Sequence, residues 1–458
     1  MTFARMTPMS TRLLLSSILA VLTMAVASTP VAAQISLPGG GGSLPQASGL
    51  PAGLPNLPVD PGSLEGMARG RLEQGLEPPA RLRNLIRRSR GTLEADPAGW
   101  PVVRGEVVAV DLSPEGRSRA LNAGFTVARE ERLDALDMTA VVLTPPRGLS
   151  LRRAVERLRN LDPQGSYAFN HVHSPAGELA EAGTAGRATA PPVPQDQRGR
   201  MGLIDTGVDE RHPAMSRARI VQRGFAGPVR AGPHGTAVAS LMVGQAGAFS
   251  GAAPGGDLYA ADVYGGSIAG GSATGLAQAL AWMVENNVPV VNISLVGPRN
   301  AIVEAAVRRA SGRGVVIVAA VGNDGPSAPP LYPAAYPDVL GVTAVNGRGR
   351  ILPEAGRGSQ VDFAAPGADM AAAGPGQGYV TVRGSSFASP LVAGLLSQRL
   401  LPLQRSNRSL QEVALAEVSG MAVDAGARGP DPVYGRGVVA MDRRIAPATV
   451  GARGQLDQ

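Results

Sequence analysis

A carboxylate, an imidazole and a hydroxyl each stand beside an apolar run in this chain: Asp205 in MGLIDTG, His234 in PHGTAVAS and Ser386 in GSSFASP. Together they are the parts of a nucleophilic relay. The hydroxyl attacks, the imidazole takes and returns the proton, and the carboxylate orients the imidazolium. Asn323, after GVVIVAAVG, adds a side-chain amide suited to holding the oxyanion that such an attack creates. Each residue alone has an ordinary alternative. Asp-Thr-Gly and Asn-Asp-Gly are turn sequences, and a histidine can cap a helix or fill a core. Ser385 and Ser389 are rival nucleophiles, and His171, His173 and His212 are the other histidines.

These residues need a scaffold, and residues 198–445 supply its pattern. Short apolar runs (MGLIDTG, DLYAADVY, VPVVNISL, GVVIVAA, VLGVTAV) alternate with helical stretches (GTAVASLMVG, GLAQALAWMVENN, RNAIVEAAVRRASGRG). Continuous apolar strands between amphipathic helices predict an α/β domain, a parallel sheet covered by helices on both faces. Active sites of open α/β sheets lie at the carboxyl ends of strands, where Asp205 falls. His234 is expected at the N-terminal end of a helix. Ser386 is expected where a strand turns at Gly384 into a helix whose N–H groups face an oxyanion, with Pro390 in the first turn.

Upstream, residues 101–173 read as a small α+β module. The strand VVRGEVVAVDL leads to a helix capped by Ser113, two strands around a polar turn, a helix SLRRAVERLRNL capped by Ser150, and a last strand SYAFNHVH. The order β-α-β-β-α-β is that of a ferredoxin-like fold. Residues 174–197 are small, polar and proline-containing, a linker open to processing. Residues 34–100 are Gly/Pro-rich and partly disordered, with Arg-rich helical spacing toward their end. Residues 446–458 form a tail.

Residues 1–33 read as a cleaved secretory signal: Arg5 and Arg12, the run LLLSSILAVLTMAVA, then Val31-Ala32-Ala33. The run is short for a membrane span, which needs about 20 apolar residues, and no later segment is long and apolar enough to cross. The expected location is secreted or periplasmic, the tail after residue 445 being too short for a membrane barrel. The chain has no cysteine, which excludes disulfides, zinc thiolates and a thiol nucleophile. Its net charge of +7 comes entirely from arginine over acid. The arginines cluster only in RLRNLIRRSR and RRAVERLR, without interleaved aromatics, so nucleic acid is not an expected partner.

The order Asp, His, Asn, Ser, with D-T-G, H-G-T and G-S-S-F-A-S-P around it, resembles the subtilisin-like serine proteases (subtilases, peptidase family S8). DTGVDERHP extends the match, and the resemblance runs from Gly202 through DPVYGRGVVAM. It implies the subtilisin-like fold and a secreted endopeptidase working through an acyl-enzyme, with polypeptide substrates. It selects Ser386 over its neighbouring serines and His234 over the other histidines, and reads His212 as structural. Asn323 would hold the oxyanion jointly with the Ser386 N–H. Ser294, Leu295 and Gly297, with Gly322, would bind substrate, the first three as an edge taking up substrate backbone. The module at 101–173 would be an inhibitory propeptide that assists folding and is then removed.

The sequence departs from the family pattern at four places. Ser385 replaces Thr. Phe387 replaces the Met beside the nucleophile, keeping an apolar wall without an oxidisable thioether and narrowing the site. Val321 adds bulk before Gly322, and Val296 intervenes between Leu295 and Gly297. Calcium wants about six to eight oxygen ligands, several of them carboxylate, yet the loop GQAGAFSGAAPGG after the His234 helix has no acid. No cofactor is expected; this loop does not support calcium, and calcium at another site stays open. A non-catalytic peptide-binding or chaperone-like module, its site crowded by Phe387 and Val321, is the alternative function on the same fold.

Overall fold

The computed structural model describes residues 80–179, 199–400 and 410–452. The expected signal peptide, the Gly/Pro-rich stretch up to residue 79, most of the expected linker and the end of the tail lie outside the described residues. All described residues fall within one unit of the chain, Asp60–Gln458.

The first part begins with helix α1 (Ala80–Arg88) and strands β1 (Leu93–Ala95) and β2 (Pro101–Val110). Helix α2 (Pro114–Asn122), β3 (Thr126–Leu133), β4 (Met138–Thr144), α3 (Leu151–Leu161) and β5 (Ser166–His171) follow. All pairings in its sheet are antiparallel, in the order β5-β2-β4-β3, with β1 also on β2. This is the split β-α-β arrangement that the element order predicts. Ser113 caps α2, accepting from the Gly116 N–H at 3.0 Å. Ser150 occupies the N-cap position of α3 with extended backbone, but its side chain makes no capping hydrogen bond, contrary to expectation.

Both faces of this sheet are apolar because both are covered. Side chains alternate along a strand. Val107, Ala109, Val141 and Leu143 pack with Ala120 of α2 and Ala154, Val155 and Leu158 of α3. Their neighbours Val108, Val110, Ala140 and Val142 face the other way, into a core shared with the second part of the chain.

Between the two parts run the short strands β6 (Ser174–Pro175) and β7 (Glu178–Leu179). The second part opens with β8 (Arg200–Asp205), β9 (Arg219–Gly224), α4 (Pro233–Val243), a hairpin of β10 (Gln245–Ala246) and β11 (Phe249–Ser250), and β12 (Asp257–Asp262). It continues through α5 (Ala273–Glu285), β13 (Val290–Ile293), β14 (Leu295–Val296), α6 (Ala301–Gly312), β15 (Val316–Ala320) and β16 (Val339–Val345). Strands β17 (Phe363–Pro366), β18 (Met370–Ala373) and β19 (Tyr379–Arg383), then α7 (Ser385–Arg399) and α8 (Leu410–Met421), complete it.

Seven strands form one parallel sheet in the order β17-β16-β15-β13-β8-β12-β9. Alternation again sorts the layers. Leu203, Leu258, Val316, Val318 and Val342 pack with Val238 and Leu241 of α4 and Leu391, Val392 and Leu396 of α7. Ile204, Val291, Ile317 and Ala319 face Leu276 and Leu280 of α5 and Ile302, Val303 and Val307 of α6. The second face of the antiparallel sheet joins the same buried cluster as α5 and α6. The expected α/β sheet with helices on both faces is therefore present. Its edge strands β9 and β17 lack the apolar runs that betrayed the other five, β9 being half-exposed RIVQRG and β17 the short FAAP.

Candidate active site

Asp205 is the last residue of β8, buried at the carboxyl end of the parallel sheet. Its carboxylate accepts the Thr206 N–H at 2.7 Å and lies 2.9 Å from His234 Nδ1 through both oxygens. His234 is in the first turn of α4, which begins with Pro233, where a missing N–H costs nothing. The Gly235 N–H donates to Thr206 Oγ1 at 2.9 Å, and a Cβ on Gly235 would lie 2.2 Å from the Thr206 carbonyl oxygen. Glycine after the histidine thus lets α4 seat directly on the turn that follows Asp205. With Nδ1 held by the carboxylate, Nε2 is left buried and without a hydrogen-bond partner.

Ser386 enters from the start of α7. Gly384, the N-cap, has φ +131°, and a Cβ there would lie 2.7 Å from Asn323 Nδ2. Pro390 sits in the second turn of α7 and not, as expected, in the first. It therefore removes the N–H that would bond the Ser386 carbonyl four residues back. Ser294 Oγ takes that place, donating to the Ser386 carbonyl at 2.8 Å. The rival serines are otherwise engaged: Ser385 Oγ accepts the Gly322 N–H at 3.1 Å, and Ser389 Oγ is buried 3.3 Å from Ser294 Oγ. Ser386 Oγ is buried and donates to the Ser294 carbonyl at 3.2 Å, so it is not on His234 Nε2 in this state.

The chain itself lies across these groups. The Ala176 carbonyl accepts from Asn323 Nδ2 at 2.6 Å and from the Ser386 N–H at 3.1 Å. Asn323 cannot present its oxygen instead, because Oδ1 accepts the Ser385 N–H at 2.9 Å. Before Ala176, β6 pairs antiparallel with β14, Pro175 opposite Leu295 and Ser174 opposite Val296. The Ala176 N–H reaches the Ser294 carbonyl at 3.3 Å. After Gly177, β7 pairs antiparallel with β19, Leu179 opposite Val382 and Glu178 opposite Arg383. The first residues of the expected linker are thus an extended peptide added to two edges, with the Ala176–Gly177 bond beside Ser386.

Other expected residues divide. Ser294 and Leu295 lie along the added peptide. Gly297 pairs with Tyr332, and a Cβ on it would lie 2.5 Å from the His173 ring, so it makes room for the residue before β6. Gly322 touches Ser385 through its N–H and lies against Leu331. Val321 points into the helix-covered core and not toward Ala176, which packs with Val296, Ala320 and Leu331. It does not crowd the site, as the alternative function supposed. His212 is buried, its Nδ1 accepting the Ala214 N–H and its Nε2 2.8 Å from the Gly378 carbonyl, a structural setting. Burial pulls its pKa down.

Sequence reasoning missed Ala176, Thr206 and Tyr264. Tyr264 Oη donates to the His173 carbonyl at 2.7 Å, and burial raises its pKa well above the ordinary value. The one available signal for Ala176 was position, a small residue before glycine between two folded parts. His173 is buried with Nε2 unpartnered, and burial, then the nearby His171, pushes its pKa down to about 3. Among the described residues, no group of three or more His, Asp or Glu side chains is placed to hold a metal ion. The loop after α4 carries no acid, and its Phe249 is buried and stacked on Tyr379 at 4.8 Å. Among the described residues, no helix is long and apolar enough to cross a membrane.

The chain is similar to known proteins. The sequence profile of the Subtilase family matches residues 200–418. The chain is 33% identical to subtilisin of Bacillus pumilus over 209 residues, which is 43% of this chain and 74% of that protein. It is 33% identical to subtilisin E of Bacillus subtilis (strain 168) over 209 residues, 43% of this chain but only 53% of that protein, so it spans about half of that relative's length. Among solved structures, fervidolysin from Fervidobacterium pennivorans superposes with a TM-score of 0.61 at 19% identity, covering 75% of this chain and 61% of that one. That likeness concerns the fold.

Proposed function

The chain belongs to the subtilase family, and from that premise we propose that it is a secreted serine endopeptidase made as a precursor, with Ala176–Gly177 as its first substrate bond. The observation that carries this reading is the convergence of Asn323 Nδ2 and the Ser386 N–H on one peptide carbonyl, 2.6 Å and 3.1 Å away. Pre-aimed donors of this kind stabilise charge that develops on the oxygen without reorganising at the moment of reaction.

For reaction Ser386 Oγ leaves the Ser294 carbonyl for His234 Nε2, which has no hydrogen-bond partner. Oγ then attacks the Ala176 carbonyl carbon while its proton passes to Nε2. Asp205, held against Nδ1, fixes the tautomer and balances the imidazolium charge. The carbonyl oxygen takes up the negative charge between the two donors. As the C–N bond breaks, Nε2 gives its proton to the Gly177 nitrogen, leaving an acyl group on Ser386. Water, deprotonated by His234 Nε2, attacks the ester, and Nε2 returns that proton to Ser386 Oγ as the Ala176 carboxyl group is freed. Other polypeptides take the place of residues 174–179 once these leave, pairing with the edges of β14 and β19.

In this reading residues 101–173 are a propeptide whose sheet docks on α5 and α6 and delivers the segment, and the basic, apolar N-terminus is a secretory signal. A phosphonyl fluoride is expected to label Ser386 in the wild type and not in Ser386→Ala, with casein hydrolysis lost in parallel. Absence of label and hydrolysis in both proteins would overturn the reading and favour a non-catalytic peptide-binding module.

A further inference from the structure

Phe387 follows the serine and is fully buried. Its ring packs against the His234 ring with centroids 5.3 Å apart, and it belongs to the core cluster under α7. On its open side it meets Gly177. A Cβ built on Gly177 would lie 2.5 Å from Phe387 Cε2 and 3.2 Å from Cδ2 and Cζ. Ordinary contact begins near 3.4 Å, so any side chain at this position displaces the ring or the peptide by about an ångström. The ring cannot swing aside as a flexible chain end would, because it is an aromatic wedged against His234 in a close-packed core. Gly177 does not have a positive φ, so its backbone alone suits any residue. What demands glycine there is Phe387.

The other side of the bond is also confined. The Ala176 methyl is buried in a small cluster with Val296, Ala320 and Leu331. Val296, the residue that breaks the expected edge motif, helps to close it.

Resting on the endopeptidase reading above, we propose that Phe387 is a specificity-determining residue that restricts cleavage to bonds with glycine on the leaving-group side, preceded by a small residue. The substrate class is glycine-containing polypeptide with Ala–Gly-like sites, of which the chain's own Ala176–Gly177 is one. Misplacing the scissile carbonyl by about 1 Å costs on the order of 10²-fold in rate. A β-carbon on the leaving side forces a shift of that size against the ring.

The experiment uses enzyme matured from the full precursor and two quenched peptides that differ only in an Ala–Gly or an Ala–Ala bond. The wild type is expected to show kcat/KM about 10²-fold lower on Ala–Ala. Phe387→Met, with an unbranched side chain that can bend away, is expected to narrow that gap to less than about tenfold. As a second variant that leaves the ring in place, Gly177→Ala in the intact precursor is expected to slow cleavage after residue 176 by a similar factor. Equal wild-type rates on the two peptides, an unchanged ratio in Phe387→Met, or wild-type processing of Gly177→Ala would each overturn the proposal. If the wild type cleaves both peptides in a Ser386-dependent way, only the glycine restriction falls. If it cleaves neither and Ser386 takes no label, the endopeptidase reading falls with it.

Discussion

Asn323 is held from two sides: its oxygen accepts the Ser385 N–H at 2.9 Å, and its nitrogen donates to the Ala176 carbonyl at 2.6 Å. An amide fixed this way pays little to organise as the oxyanion forms. Asn323→Ala is expected to lower kcat by about 10²–10³ with little change in KM, measured on a small chromogenic peptide. A comparable KM rise with kcat intact would assign Asn323 to ground-state binding only. At this scale type and order single out Asp205, His234, Asn323 and Ser386, and the fold brings Asp205 to His234 and Asn323 to the Ser386 N–H. What the sequence hid were side-chain directions. Val321 looked like pocket wall but faces the core. Phe387 looked like a generic apolar wall, and its contact with Gly177 joins residues 210 positions apart, which no local pattern encodes. The reach of Pro390 was also hidden, since only the true start of α7 makes the Ser386 carbonyl the orphan that Ser294 satisfies.

Strands β6 and β7 have two residues each and no periodicity of their own, so SPAGEL reads as linker. They exist as strands because β14 and β19 offer unpaired edges, and backbone pairing to an edge needs no side-chain pattern. The longer elements were legible because burial writes itself as apolar runs and helical stripes. The residue that leads into β6 carries a consequence for pH. His173 is buried and neutral, its pKa held down to about 3 from 6.5 by burial and by His171, with the Tyr264 hydroxyl bonded to its own carbonyl. The unfolded chain therefore binds a proton that the folded precursor refuses. Stability from this residue is fully present above pH 6.5 and falls toward pH 3, by about 1.4 kcal/mol per pH unit. Glu131, at the same interface, has its pKa raised by burial and works in the opposite sense as acid is added. The comparison is therefore between uncleaved Ser386→Ala precursor with and without His173→Gln, by denaturant midpoint from pH 7 to 4. The His173→Gln precursor is expected to lose less stability on acidification; superimposable profiles would contradict the assignment.

Across the whole molecule, one antiparallel sheet and one parallel sheet share the helices α5 and α6. Val108, Val110, Ala140 and Val142 on one side and Leu276, Leu280, Ile302 and Val303 on the other form a single buried layer. Polar contacts fix its register: Asn300 caps α6 at the Ile302 N–H and donates to the Phe169 carbonyl at 2.9 Å, and Asn170 Oδ1 accepts the Thr274 N–H of α5 at 3.3 Å. This docking brings the end of β5 to the mouth of the site, leaving the chain little choice but to run through it. The sequence revealed both parts and their order. Their contact was hidden because a sheet with two apolar faces looks the same whether its second cover is local or distant. The decisive quantity is the intact mass of the fragment released from the full-length protein. The wild type is predicted to release a fragment whose last residue is Ala176, and Ser386→Ala to release none. A fragment ending anywhere else, or the same fragment from purified Ser386→Ala, would contradict it.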